Sequence, residues 1–146
     1  MLRDRFMAEN TAWILQQEGD SAKIALWAHN LHVGTMDTKS EGVKSQGAFL
    51  REEYGDSMVT VGFDFYRGSF RAIGPSRPGE IPEHEVGPAR IGSYEYYFHS
   101  ADIPRFFLDL RASRSRPIPD WLRGPLLMRS IGAVFFLRSL RISTVQ

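Results

Sequence analysis

The sequence predicts an α/β fold, a mostly parallel sheet flanked by helices, and it predicts that the domain is incomplete. Two observations give the class. Helical and strand-like segments alternate over the first 64 residues, and the strand-like segments are short, almost continuous apolar runs of the kind that a parallel sheet buries on both faces. A third gives the incompleteness: the chain offers only three or four such strands, too few to avoid leaving an apolar sheet edge uncovered.

In chain order, Leu2, Phe6, Met7, Trp13 and Ile14 recur near helical spacing and Gly19 supplies a stop, so residues 2–17 are predicted to form an amphipathic helix with this stripe inward. After the Gly19-Asp20-Ser21 turn, Lys23-Ile24-Ala25-Leu26-Trp27-Ala28 is predicted as the first core strand. Residues 34–44 are polar and aperiodic, which predicts a mobile surface loop. Ser45 is placed to cap a helix over residues 46–54, with Phe49 and Leu50 inward and Gly55 ending it. Residues 58–64 form a second strand, completing the strand, helix, strand order of a parallel crossover.

Tyr66-Arg67-Gly68-Ser69-Phe70-Arg71 predicts a tight turn and a short strand, whereas residues 74–92, with four prolines and four glycines, predict an irregular loop. For residues 93–99 the tyrosines favour a strand and Ser93 favours the cap of a short helix; helix is preferred. Residues 105–110 and 131–137 are the third and fourth strand candidates, separated by a proline-rich link and a short helix from Pro119 with Asp120 and Trp121 in its first turn.

The 146 residues, 42% of them hydrophobic, suit one domain or a piece of one. With 18 Lys and Arg against 17 Asp and Glu, no overall field attracts nucleic acid or an anionic membrane. Arg105, Arg111, Arg114, Arg116, Arg123, Arg129, Arg138 and Arg141 outnumber Asp109 and Asp120 locally, and a solvated face is the preferred reading over a phosphate site. The absence of cysteine excludes disulfides, thiolate nucleophiles and cysteine zinc sites. No secretory-type apolar region opens the chain and no run nears the ~18 residues that span a bilayer, so a soluble, cytoplasmic protein is expected.

In an open α/β sheet, ligands bind beyond the carboxyl ends of the strands. His29-Asn30-Leu31-His32 occupies that position on the first strand. Two imidazoles there could converge on one water or divide into a catalytic and an orienting role; alternatively one only caps the strand end while the other is exposed. A zinc site lacks a third ligand at local spacing, and no metal or other cofactor is expected. Asp64, ending the second strand, is either a carboxylate of the same crevice or the cap of the next turn. His84 and His99 are read as structural, Arg3-Asp4-Arg5 with Glu9 as a solvated face, and Asp109 with Arg111 as a strand-end ion pair. No nucleophile elbow, phosphate-binding glycine loop or dinucleotide fingerprint is present, which argues against serine-hydrolase chemistry and nucleotide binding.

Several segments together resemble the erythromycin esterase family: Arg3-Asp4-Arg5-Phe6-Met7-Ala8-Glu9-Asn10, Leu26-Trp27-Ala28-His29-Asn30-Leu31-His32-Val33, Gly47-Ala48-Phe49-Leu50-Arg51 and Tyr54-Gly55-Asp56. Val61-Gly62-Phe63-Asp64-Phe65, Gly68-Ser69-Phe70 and Phe107-Leu108-Asp109-Leu110-Arg111 extend the likeness over roughly residues 3 to 136.

The resemblance implies a hydrolase that opens a macrolide lactone or another carboxylic ester with water activated by histidine and glutamate, without a covalent serine intermediate. The family's Gly-Glu-x-x-His-Gly segment and a separate glutamate have no match here. The resemblance therefore implies the C-terminal portion of such a domain, truncated and inactive alone, with His29 or His32 as the active-site histidine. It implies supporting roles for Arg3, Asp4 and Asn10; Asn30 and Asp64 complete the expected site. The expected partners are a small ester or macrolide-like substrate and whatever covers an exposed hydrophobic face. A non-catalytic module that binds a small ligand or partner chain is the alternative.

Overall fold

A computed structural model describes residues 2–38, 42–74, 79–111, 119–122, 124–135 and 141–144. Arg114, Arg116, Arg123, Arg138 and the last two residues of the fourth strand candidate lie outside the described residues. The chain divides into two compact units, Met1–Phe63 and Asp64–Gln146.

In the first unit, α1 (Leu2–Glu18) is the predicted helix, but it buries a different face. Asp4, Ala8, Thr11 and Ala12 are buried, whereas Leu2, Phe6, Trp13 and Ile14 are exposed. The buried set recurs at i, i+4, i+7 and i+8, one side of a helix; it consists of small and polar side chains because α1 lies close against α3 (Gln46–Tyr54). The N–H groups of a helix's first turn have no partner within the helix. Asp4 reaches across from α1 to take one of them, Gln46 N–H, at 3.1 Å.

The helix α3 forms where the sequence places it. Ser45 is its N-cap, accepting from Ala48 N–H at 3.2 Å and donating to Gly34 O at 2.5 Å. Gly55 ends it at φ 51° and ψ −129°, a left-handed φ that a side chain would strain. Leu50 is buried and Phe49 half-buried beneath Lys44 Nζ, 4.6 Å from the ring centroid. Ahead of α3 stands α2 (Asn30–Val33), a single turn. A Cβ on Gly47 would strike the carbonyls of Val33 and Gly34, so α3 can approach α2 this closely only with glycine there.

Three expectations need correction in this unit. The loop over residues 34–44 holds an antiparallel hairpin of β1 (Asp37–Thr38) and β2 (Val43–Lys44), with Asp37 opposite Lys44. The predicted strands over residues 23–28 and 58–64 form no ladder, with each other or with anything else described, so the crossover unit is not built. Far from being buried on two faces, they expose Ile24, Leu26, Val59, Val61 and Phe63, and leave Trp27 87% exposed. Apolar strand propensity is local, but a strand exists only where a neighbour completes its hydrogen bonds.

The second unit contains β3 (Gly68–Arg71), as predicted, paired antiparallel with β4 (Glu83–Val86), which lies in the stretch predicted as irregular loop. Phe70 faces His84 across this pair with ring centroids 5.6 Å apart, and Phe135 meets Phe70 edge-on at 4.8 Å. With Ala72 and Val86 these rings form the unit's apolar core. His84 contacts Ala72 O through Nε2 at 3.1 Å.

Ser93 caps α4 (Tyr94–His99), which settles that stretch as helix, and a single 3-10 turn over Asp120–Leu122 follows. His99, at the end of α4, stacks on Tyr66 at 3.8 Å. The antiparallel pair β5 (Leu127–Ser130) and β6 (Arg141–Thr144) had no counterpart in the sequence reading. Residues 105–110 form no strand and expose Phe106, Phe107, Leu108 and Leu110; within 131–135 there is only an isolated parallel bridge from Ile73 to Val134. The fold class is therefore mixed helix and strand with antiparallel strand pairs; among the described residues the mostly parallel sheet is not formed. No helix among them is long and apolar enough to cross a membrane.

Candidate active site around His32

His29 begins α2 as its N-cap: its Nδ1 accepts from Leu31 N–H at 3.1 Å. That assigns one ring nitrogen to holding the turn. The turn in turn aims His32, three residues on, at α1.

His32 Nδ1 lies 2.9 Å from Asp4 Oδ2, and its Nε2 lies 3.0 Å from Arg3 Nη2. A guanidinium has donors and no acceptor, so Nε2 must accept and the ring proton sits on Nδ1, donated to Asp4. Two nitrogens with opposite roles follow from two partners on adjacent residues of α1. Asp4 Oδ2 thus accepts from both His32 and Gln46 N–H.

The carboxylate is 3% exposed. Burial alone would raise its pKa, but the hydrogen bonds from His32 and Gln46, with the charge of Arg3, outweigh burial and hold it below the usual carboxylate value. Asp4 is therefore an ionised buried anchor, not the solvated residue its charged neighbours suggested. Arg5 and Glu9, paired at 2.7 Å on the surface, and the exposed Arg3 fit that reading.

Behind Asp4 the polar chain continues. Gln46, 1% exposed, donates from Nε2 to Thr11 Oγ1 at 3.1 Å, and Thr11 donates to Met7 O at 2.8 Å. This network locks α3 to α1 and so fixes the depth of Asp4. Gln46 and Thr11 escaped the sequence reading, although Asp4, Ala8 and Thr11 share one helix face and that spacing carried the signal.

Asn30 is also placed with purpose. Its Nδ2 donates to Phe63 O at 2.6 Å and its Oδ1 accepts from Phe63 N–H at 3.2 Å, while Trp27 and Phe63 rings sit 5.5 Å apart. Of the predicted site residues, Arg3, Asp4 and His32 converge directly and His29 and Asn30 support the turn. Asn10 is exposed on α1 and makes no hydrogen bond to them.

Asp64 has a different partner, Glu95, which the sequence reading did not select. Glu95, 3% exposed in the first turn of α4, is held by Arg129 N–H and hydrogen-bonds Asp64. Two carboxyls in contact cannot both ionise. Burial, then the hydrogen bond and charge of Glu95, push Asp64 up to about 8; for Glu95, burial is outweighed by Ser93, Arg129 N–H and Asp64, which lower it. Among the described residues no three His, Asp or Glu side chains converge as a metal site.

The chain is 28% identical over 130 residues to the Bacillus subtilis (strain 168) protein named "Putative hydrolase YbfO", a match covering 85% of this chain and 28% of that protein. A crystal structure of a Bacillus cereus protein superposes with a TM-score of 0.77 at 24% identity, over 97% of this chain and 34% of that one. The chain thus spans about a third or less of the length of both. The family model described as erythromycin esterase matches residues 1–144, and the chain belongs to that family.

Proposed function

We propose that this chain carries the histidine side of a site that hydrolyses a lactone or another carboxylic ester by water attack. The observation that supports it most is the Arg3–His32–Asp4 arrangement: an imidazole whose tautomer is fixed and whose Nε2 lone pair is engaged, among the described residues, by a long, exposed arginine. Family membership and the printed name of the Bacillus subtilis relative point the same way.

In the reaction, Arg3 swings off His32 and Nε2 accepts a hydrogen bond from water, turning a water lone pair toward the ester carbonyl. As the new C–O bond forms, the carbonyl oxygen gains negative charge, which the freed guanidinium stabilises. Collapse expels the alcohol, which takes up the proton released by the water. Asp4 keeps the ring oriented and stabilises it whenever it carries a second proton. A further proton-transfer group comes from sequence outside this stretch, so the chain alone is inactive.

The test is lactone and p-nitrophenyl ester hydrolysis by the chain alone and by the chain combined with the unmatched portion of the Bacillus subtilis relative. No turnover is expected alone; in combination, turnover is expected that His32→Ala lowers by roughly 10²–10⁴-fold. Hydrolysis by the chain alone, abolished by replacing His29 and His32, would overturn the incompleteness. A combination that binds ester without hydrolysing it would favour the non-catalytic module.

A further inference from the structure

Ser45 is 1% exposed, and its hydroxyl does more than cap a helix. A hydroxyl has one proton to give and lone pairs with which to accept. Here a lone pair takes Ala48 N–H at 3.2 Å, while the oxygen lies 2.5 Å from Gly34 O and 3.1 Å from Met36 O. Met36 O already accepts Ser45 N–H at 2.9 Å, and no backbone N–H among the described residues donates to Gly34 O. The nearer carbonyl, which lacks a backbone donor, therefore takes the proton.

Those two bonds reach both halves of the His32 site. Gly34 follows α2 directly and closes that turn by donating its N–H to Asn30 O at 2.8 Å, with His32 two residues earlier. On the other side Ser45 adjoins Gln46, whose N–H donates to Asp4 Oδ2, the same oxygen that His32 Nδ1 reaches. The ring is thus held through Gly34 and its aspartate through the start of α3, and one side chain joins the two. A cap requires only an acceptor, and aspartate serves there as well as serine. Capping therefore does not account for the bond to Gly34 O, for which serine supplies the proton. Beside it, the carbonyls of Val33 and Gly34 fill the space where a Cβ on Gly47 would lie. Gly47 permits the close approach of α2 to α3, and the Ser45 hydroxyl fixes it.

We propose that Ser45 is a positioning residue for His32: its hydroxyl ties the α2 turn to the start of α3, which keeps Nδ1 on Asp4 and leaves Nε2 as the acceptor. The chemical meaning of this role rests on the reading of His32 as the histidine of an ester-hydrolysing site. Such a site works only when its groups are held within roughly 0.5 Å of the productive geometry. Without the hydroxyl, α2 keeps its internal turn and α3 keeps its length, but the distance between them is no longer set by a bond. The imidazole then samples orientations in which Nδ1 leaves Asp4, and its proton divides between the two nitrogens.

The experiment reads the His32 tautomer by nitrogen-15 NMR in the full chain. Ser45→Gly removes the hydroxyl at a position where glycine is well tolerated as a cap, and circular dichroism checks that α1 and α3 remain. Ser45→Cys, under reducing conditions, is the second variant, since a thiol of similar shape is only a weak donor. Both are expected to convert the single Nδ1–H signature of the parent into a mixture. Arg51→Met is the control: Arg51 Nη1 donates to Gly55 O and Met58 O at the far end of α3, so its loss loosens the same helix without touching the stitch to α2. It is expected to leave the signature as in the parent. The proposal is overturned if either folded Ser45 variant keeps the parent signature, or if Arg51→Met disturbs it as much as they do. In the chain combined with the unmatched portion of the Bacillus subtilis relative, Ser45→Gly is expected to lower kcat roughly tenfold or more with KM little changed; an unchanged kcat would overturn the positioning role. A combination that hydrolyses no ester while the tautomer still responds to Ser45 would count against the hydrolase reading and for the hold of Ser45 on His32.

Discussion

His32 and Asp4 are 28 positions apart in the chain and 2.9 Å apart through Nδ1 and Oδ2. The same aspartate oxygen holds the first N–H of α3, so the histidine's orientation and the helix contact share one buried charge. Asp4→Asn keeps the shape and loses the charge. About 1–3 kcal/mol of stability should be lost in urea unfolding, the range for a buried hydrogen-bonding group deprived of its partner. Nitrogen-15 NMR should report the His32 proton on Nδ1 in the parent and a mixture of tautomers in the variant. Because Asp4 is depressed in the folded state, its contribution is present above pH ~4 and lost as pH falls through the folded value, so that part of the acid dependence should vanish in Asp4→Asn.

Asn30 bonds both backbone groups of Phe63. Asn30→Ala removes both bonds, and Asn30→Asp keeps the acceptor while setting a carboxylate against the Phe63 carbonyl. Each lost bond is worth ~0.5–1.5 kcal/mol at most at this exposed position. Global stability should change little, but the Phe63 amide should exchange markedly faster in Asn30→Ala and slower than that in Asn30→Asp. Equal Phe63 exchange in parent and Asn30→Ala would show that the carboxamide does not hold the strand end.

Gly47 sits where a Cβ would meet two backbone carbonyls. Backbone cannot rotate aside as a side chain can, so Gly47→Ala should cost at least the ~1–3 kcal/mol typical of overpacking. It should also loosen α2 against α3, and the His32–Asp4 tautomer signal should be lost with it. Alanine tolerated with unchanged midpoint and unchanged His32 signals would contradict the close approach.

Burial and the neighbouring Glu95 carboxyl hold Asp64 well above the usual carboxylate range, which gives the second unit an unusual alkaline sensitivity. A carboxyl whose folded pKa is raised binds its proton more tightly folded than unfolded, so stability falls as pH rises from the unfolded value, ~4, to about 8, and is level above. Urea midpoints at pH 5 should exceed those at pH 8. Glu95→Gln removes the neighbouring charge but not the burial, so the slope should shrink without disappearing. A slope of opposite sign would refute the raised Asp64 carboxyl.

The local elements were legible because their causes are local. The Ser45 and Ser93 caps and the Gly55 stop bracket α3 and α4 where the sequence places them. The length of α1 was legible and its buried face was not. Hydrophobicity favoured Leu2, Phe6 and Trp13, but close packing against α3 selects the small and polar side. The apolar runs 23–28, 58–64 and 105–110 read as strands and form none, because a ladder needs a neighbour that pattern in one segment cannot supply. Conversely, β4, β5 and β6 form in stretches without a strand pattern, since each finds a partner.

The sequence by itself singled out His29 and His32 by residue type and position, and showed which segments could be helical; Arg3 and Asp4 it named only through the family resemblance. Only the tertiary structure decided that Asp4 is buried and that His32 and not His29 meets it. Those are distances between residues far apart in the chain, and they follow from how closely α1, α2 and α3 pack, which no single stretch of sequence encodes.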